Sequence, residues 1–478
     1  MASQAITGHM ILGIVATMKS SVTSFPLWKR GIEGNSSYAS RRKSPLPPFF
    51  KGGLIGILSA TLFSFLTALF SSMALAQDKQ TTTPDIFRQF SEHVVKIEVV
   101  ETGSAAKATI GTGFYADAAA RIVTNYHVVS KLIHSPERYR IEITNTGGQT
   151  SQATVLGVDV VYDLAVLHAP RAHKGFLQLA PIQIQQGTRL YSLGHPRDLG
   201  LTIVEGTYNG LLQHTLYPKI LFSGSINPGM SGGPTVTQAG SVVGINVSTQ
   251  GEQISFLVPV ERAIALLERT AKVDSRTAAS FLPEVGRQIH AYQSSYLAKT
   301  FVGAMPTLAL GPYELPTKPA PFFRCWADAV RRKDLPYAVV NHDCSTDDYI
   351  FVSAEQSSGI VRFNHQLLST GELNPMRFFS LYGGQLQAGK IGMIGNEEEV
   401  TSFRCETRNV ALSGGKVRSA LCARQYIKLP GLFDAMLRVA PVGSRNAGLI
   451  STLSLSGVSY DNVEALARRY LEAIKWRR

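Results

Sequence analysis

Cysteine is scarce in this 478-residue chain and unevenly placed: there are four, and none precedes Cys325. No Cys-x-x-Cys pair and no His-Glu-x-x-His run occurs, which excludes the common thiolate and helical-histidine metal sites. His134, His168, His195 and His214 have no metal-ligand spacing either and read as surface or satisfied core residues, so no metal or cofactor is expected. Acids are also short, 34 against 47 Lys and Arg, for a net charge of +13. Residues 1–76 hold seven of the bases and one acid, leaving 40 bases against 33 acids beyond them. That remainder is scattered, without a basic stripe or interleaved aromatics, so nucleic-acid binding is excluded as a main role. An apolar content of 44% with 17% charged residues fits a globular chain of two to three domains.

The first 76 residues read as a leader. Arg41, Arg42, Lys43 and Lys51 precede an uncharged run from Gly52 to Gln77 that ends in Ala74-Leu75-Ala76. A basic flank, an apolar stretch and a small-x-small exit predict a secretory signal peptide cut after Ala76. The run is also long enough to span a bilayer, so an uncleaved anchor that ties the protein to the membrane is the alternative. Either way the mature chain is expected in a periplasm, a lumen or the extracellular space.

The centre of the sequence is Asn227-Pro228-Gly229-Met230-Ser231-Gly232-Gly233-Pro234, set between strand-like runs at 219–226 and 241–247. Glycine reaches the sharp torsions needed to present a serine hydroxyl. Such a turn also aims successive N–H groups at one point, the geometry that stabilises a developing oxyanion. Taken alone, it could equally be a glycine-rich hairpin whose serine satisfies its own turn.

Short β-rich runs surround it at 94–100, 108–115, 121–124, 139–144, 150–156, 164–168, 188–193 and 201–205, punctuated by Gly, Asn, Asp and Pro. This spacing signals an all-β sandwich or barrel. One or two helical turns are expected at Pro84–Phe90, and a helix carrying Val260, Ala263, Ile264 and Leu267 on one face closes the region. His127 stands at the end of an apolar strand, where a neutral imidazole can act as general base. Asp163 interrupts apolar sequence and needs a buried partner, for which an imidazole N–H is suitable.

Thr124-Asn125-Tyr126-His127-Val128-Val129, then Asp163-Leu164-Ala165-Val166-Leu167, then the Ser231 turn, in that order, resemble the trypsin-like serine proteases of the HtrA type. The resemblance covers about residues 84–270 and implies a mainly β fold, a chymotrypsin-like double β-barrel; a separate C-terminal α+β domain is expected to follow it. It implies His127 as general base, Asp163 as its orienting partner and Ser231 as nucleophile, with an oxyanion hole from the N–H groups of Gly229 and Ser231. It also implies a primary pocket based on Ser225 and walled by Ser225, Ile226 and Asn227 with Ile245, Asn246, Val247 and Ser248. Such a pocket would take a small or medium apolar side chain of a protein or peptide substrate.

Three positions depart from that pattern. Met230 replaces an Asn or Asp, so the turn must be held by other packing. Val247 replaces a Ser or Thr that helps hold the aspartate, and His195 stands where an Asn is usual, here read as surface variation. A catalytically weak binding module that recruits a partner in the cell envelope is therefore the alternative to an exported endopeptidase.

No PDZ-like carboxylate loop follows residue 270. Residues 271–320 read as a helical and then proline-rich connector, and 321–478 as a C-terminal domain. Phe323-Arg324-Cys325 precedes Cys344, and Phe403-Arg404-Cys405 precedes Cys422, a repeat that suggests two hairpin units. Four cysteines allow three pairings, and the repeat favours the sequential one. A closing helix from about Asp461 places Val463, Leu466, Ala467, Tyr470, Leu471 and Ile474 on one face, suited to core packing or to a membrane interface.

Overall fold

The computed structural model describes residues 81–478 except 170–172, 180, 182, 274–277, 347, 389–395 and 478. The leader, the apolar run and the expected cut after Ala76 lie outside the described residues. Among the described residues no helix is long and apolar enough to cross a membrane.

A short helix, α1 (Thr83–Phe90), leads into six antiparallel strands: β1 (Val94–Glu101), β2 (Lys107–Tyr115), β3 (Arg121–Thr124), β4 (Tyr139–Thr144), β5 (Thr150–Asp159) and β6 (Leu164–His168). They close into a barrel in the order β1-β2-β3-β6-β5-β4. The next six are β7 (Arg189–Gly194), β8 (Thr202–Leu211), β9 (Ile220–Phe222), β10 (Pro234–Val236), β11 (Val242–Thr249) and β12 (Ser255–Pro259), closing in the order β10-β11-β12-β9-β8-β7. Closure leaves no unpaired edge, which suits runs as rich in Val and Ile as β1 and β11. This is the expected chymotrypsin-like pair of six-stranded barrels.

The expected apolar strand around His127 is corrected. β3 stops at Thr124, Asn125 is extended at φ −86° and ψ 151°, and a helix, α2 (Tyr126–His134), begins at the next residue. Its buried residues Tyr126, Val129 and Ile133, with Val128 and Leu132, follow helical spacing. α3 (Val260–Arg269) closes the second barrel as expected, burying Val260, Ala263, Leu266 and Leu267.

The connector is a packed spine. Helix α4 (Leu282–Thr300) joins the first barrel's core through Val285 and Ile289, and the C-terminal core through Tyr296 and Leu297. β13 (Thr307–Leu310) and β14 (Tyr313–Pro316) follow and pair with each other, and β14 also pairs with the terminal strand, Lys475–Trp476. The main C-terminal element is one seven-stranded antiparallel sheet. Its strands are β15 (Phe323–Arg331), β16 (Ala338–Thr346), β19 (Val361–Ser369), β20 (Arg404–Leu412), β21 (Gly415–Gln425), β22 (Leu432–Pro441) and β23 (Ala447–Ser459), in the order β15-β16-β19-β23-β22-β21-β20. A small hairpin of β17 (Ile350–Ser353) and β18 (Gln356–Ser358) leaves it, and helix α5 (Pro375–Ala388) lies between β19 and β20 in sequence. Helix α6 (Tyr460–Ala473) and β24 (Lys475–Trp476) close the chain.

The two cysteine units are not independent. Cys325 bonds Cys344 across β15 and β16, Cys405 bonds Cys422 across β20 and β21, and these hairpins are opposite edges of the one sheet. The expected face of α6 is covered, with Val463, Leu466, Ala467, Tyr470 and Leu471 buried in the sheet's core cluster, so core packing replaces the interfacial reading. Residues 83–478 form one compact unit. The C-terminal α+β region packs on the barrels, since Ile350, Val352, Val400 and Tyr426 belong to the first barrel's core cluster.

Candidate active site

The first amides of a helix have no partner within it, and an anion placed there is stabilised. Asp163 supplies that anion to α2. Its Oδ1 accepts the His127 amide at 2.8 Å, and its backbone carbonyl accepts the Tyr126 amide at 3.2 Å. Asn125 forgoes capping the helix and donates its Nδ2 to the same carbonyl at 2.8 Å. These bonds hold Asp163 in the left-handed region, at φ 54°, with 6% exposure. The absence of a Ser or Thr at position 247 is thereby compensated from the first barrel.

The second carboxylate oxygen, Oδ2, lies 2.6 Å from His127 Nδ1. A carboxylate can only accept, so Nδ1 carries the proton and Nε2 keeps its lone pair. Burial works against the imidazolium, but the charge and hydrogen bond of Asp163 outweigh it and hold the His127 pKa above 6.5.

The Ser231 turn is set against this pair by a close approach of the two barrels. Thr112 donates its amide to Ser231 O at 2.8 Å. Gly232 has φ +84°, and a Cβ there would lie 2.2 Å from Thr124 Oγ1 and 2.3 Å from Thr112 O, so only glycine fits. Gly229 is equally constrained: at φ +97° its Cβ would lie 2.3 Å from His195 O. Among the described residues neither the Gly229 nor the Ser231 amide has an acceptor within the protein, which leaves both donors available. Ser231 Oγ is not hydrogen-bonded to His127 Nε2 in this arrangement.

Sequence reasoning misplaced several residues around the turn. His195 is not surface variation: it is 6% exposed, and burial lowers its pKa to about 4, so it stays neutral. Its amide donates to Thr112 Oγ1 at 3.0 Å, and that hydroxyl donates to Gly229 O at 2.7 Å, a relay that fixes the peptide after Gly229. Met230 is fully buried with Leu190, Ile220, Phe222, Ile226, Val243 and Leu257, so apolar packing holds the turn.

The Asn246 side chain is a buried tie. Its Oδ1 accepts from Ser192 Oγ at 2.8 Å and Thr235 Oγ1 at 2.7 Å, while Nδ2 donates to Met230 O at 3.1 Å and Leu193 O at 3.3 Å. The side chains of Ile245 and Val247 pack in the cluster containing Phe114, Tyr191 and Leu193. A register shift between Asn246 and Ser248 turns Val247 inward, which strict alternation would not predict. Ile226 is buried beside Met230, leaving Ser225, Asn227 and Ser248 exposed.

No sequence signal pointed to Phe351. Its ring meets His127 edge-on from the β17–β18 hairpin, while Tyr126 Oη donates to Val352 O at 2.9 Å. Cys325, His342 and Cys344 come together in the manner of a metal site, but the two sulfurs are joined in the disulfide and offer no thiolate.

The sequence profile of the trypsin-like peptidase domain matches residues 111–245. Over 207 residues the chain is 30% identical to the mitochondrial serine protease HTRA2 of Bos taurus, covering 40% of this chain and 43% of the relative. The chloroplastic protease Do-like 1 of Arabidopsis thaliana is 26% identical over 265 residues, 48% of this chain and 58% of the relative. The solved serine endoprotease from Yersinia pestis is 26% identical, covering 40% of this chain and 66% of that one at a TM-score of 0.34, and the fold rests on the barrels themselves. The chain spans about half the length of the relatives it matches. Residues 111–245 match the trypsin-like peptidase domain, and around that stretch the chain is similar to HtrA-type serine proteases.

Proposed function

We propose that the chain is an exported serine endopeptidase that cleaves protein or peptide substrates through Ser231, His127 and Asp163, within a protease domain of about residues 84–270. The observation that carries this reading is the 2.6 Å contact between His127 Nδ1 and Asp163 Oδ2, which leaves Nε2 basic beside the Ser231 turn. Asp163 fixes the tautomer and stabilises the imidazolium. His127 takes the Ser231 proton as Oγ attacks the carbonyl, then returns it to the leaving amine. The free amides of Gly229 and Ser231 meet the oxyanion. One such donor is worth about 2.7–4 kcal/mol of barrier. Ser225, exposed and uncharged, fits a small or medium apolar side chain before the scissile bond. Export is supported by two disulfides, which persist in oxidising compartments, and by the basic flank and apolar run that end at Ala76.

The second reading, a protease-fold binding module, is favoured by the missing bond between Ser231 Oγ and His127 Nε2. Catalytic hydrogen bonds are often loose before substrate arrives, so this does not outweigh the pair. Fluorophosphonate labelling of the purified protein beside Ser231→Ala, with casein digestion in parallel, decides between them. Labelling and digestion that both vanish in Ser231→Ala are expected; an unlabelled native protein that still captures a partner would establish the binding module.

A further inference from the structure

Between the β17–β18 hairpin and the open face of the seven-stranded sheet lies a cleft of about 750 Å³. Its floor is polar and comes from three neighbouring strands. Asn364, Thr452 and Arg438 stand in one cross-strand row, and Arg362, Ser454 and Met436 in the next. Phe351 both lines the cleft and touches His127, its ring centroid 5.9 Å from the imidazole. Phe351 thus stands between the cleft and the imidazole of His127.

Its charges are unevenly matched. Arg362 pairs with Asp343, and the buried Asp434 pairs with Arg424. Among the described residues Arg438 has no carboxylate partner: Nη1 donates to Leu386 O at 2.8 Å, and Nε is buried without an acceptor. Glu355 is the unpaired acid of the lining, and it sits in the hairpin turn, at the other end. The Tyr426 hydroxyl, 2.7 Å from Ser357 O and 2.8 Å from Asp434 Oδ1, fixes Asp434 at the hairpin end. Arg438 lies four residues further along β22, roughly 13 Å away at the usual strand rise. On the hairpin side Gln356, 5% exposed, lines the cleft with a buried Oε1 that has no donor. One orphan acceptor, on Gln356, and one orphan cationic donor, on Arg438, belong to the same lining and match a main-chain N–H and a carboxylate respectively. A polypeptide running out of the active site past Phe351 supplies both.

We propose that this cleft binds an acidic segment of the polypeptide substrate, with Arg438 receiving its carboxylate. The proposal rests on the endopeptidase reading of the same chain. It is tested on the full protein carrying Ser231→Ala, by fluorescence anisotropy of a fluorescein-labelled alternating Glu-Ala octapeptide and its Gln-Ala counterpart. The Glu-Ala peptide should bind at least about tenfold tighter than the Gln-Ala one, the gap should narrow with added salt, and Arg438→Gln should abolish it. Since Arg438 also ties Leu386, a second variant leaves it in place. Thr452→Glu puts a carboxylate beside it on the neighbouring strand and should weaken the Glu-Ala peptide by a similar factor. Equal binding of the two peptides, binding unchanged in both variants, or displacement by inorganic phosphate at the peptide's own concentration overturns the proposal. Fluorophosphonate labelling of the Ser231 protein separates the two readings: labelling without acidic-peptide binding refutes the cleft alone, and acidic-peptide binding without labelling refutes the endopeptidase alone.

Discussion

The Phe351 ring meets the His127 imidazole edge-on, with centroids 5.9 Å apart and planes inclined at 70°. A residue more than two hundred positions downstream thus forms part of the wall around the proposed base. Burial is the largest influence on the His127 pKa and acts to lower it. Phe351→Ala admits water to the imidazolium, so the pKa should rise further and the acid limb of the kcat/KM profile should move to higher pH. Rates of fluorophosphonate labelling across pH 5–9 measure this. An acid limb identical to the native one would mean that the hairpin does not shield His127.

Asp163 acts on the same pKa in the opposite direction. His127 must be neutral to accept a proton, and its pKa stands above 6.5, so activity should fall as pH drops through that raised value. Asp163→Asn should cost about 10⁴ in kcat through the wrong tautomer, and the residual activity should have an acid limb at lower pH. Stability follows the linkage. The folded pKa is raised, so the pair's contribution is complete below the unfolded value near 6.5 and is lost as pH rises through the folded one. Urea midpoints of native and Asp163→Asn protein should therefore converge on going from acid to alkaline pH. Divergence would show that the pair does not hold the imidazolium.

The sequence exposed what repeats or bends sharply, and hid what depends on distant contact. Ten of the twelve barrel strands follow from β-rich runs broken by turn residues, β10 and β12 being the exceptions, and Ser231, His127 and Asp163 stand out because each violates its surroundings. The helix at Tyr126–His134 is hidden because Ile122-Val123 and Val128-Val129 read as one strand-like stretch, although Tyr126, Val129 and Ile133 carry helical spacing. Nothing local shows that the four hydrogen bonds of the Asn246 side chain go to Ser192, Thr235, Leu193 and Met230. His195 lies next to Pro196 in a turn, yet a partner 83 residues earlier buries it. Phe351 could not be read at all, since its role arises only when the hairpin docks on α2.

Gly229 offers a test of the oxyanion turn that leaves the three proposed catalytic side chains in place. A Cβ there would meet His195 O at 2.3 Å in a backbone region, φ +97°, that disfavours side chains. Gly229→Ala must move the peptide whose amide is proposed to face the oxyanion. The expected result is a kcat lower by about 10²–10³ with little change in KM, the loss typical of one donor. Unchanged kcat in a folded variant would place the oxyanion elsewhere.

The two disulfides close the outer hairpins of the C-terminal sheet, where β15 and β20 have no further neighbour. Unpaired edges are sites of fraying and of pairing between copies, and a covalent staple limits both. The bridges join residues 19 and 17 apart, and loops of that size are worth about 3 kcal/mol each by chain entropy. Cys325→Ser with Cys344→Ser should lower the urea midpoint by that order and raise the tendency to aggregate, and Cys405→Ser with Cys422→Ser should do the same. The barrels contain no cysteine, so fluorophosphonate labelling of Ser231 below the transition should persist in both pairs. Labelling that disappears while the sheet remains folded would show that the edges, and not only the β17–β18 hairpin, support the active site.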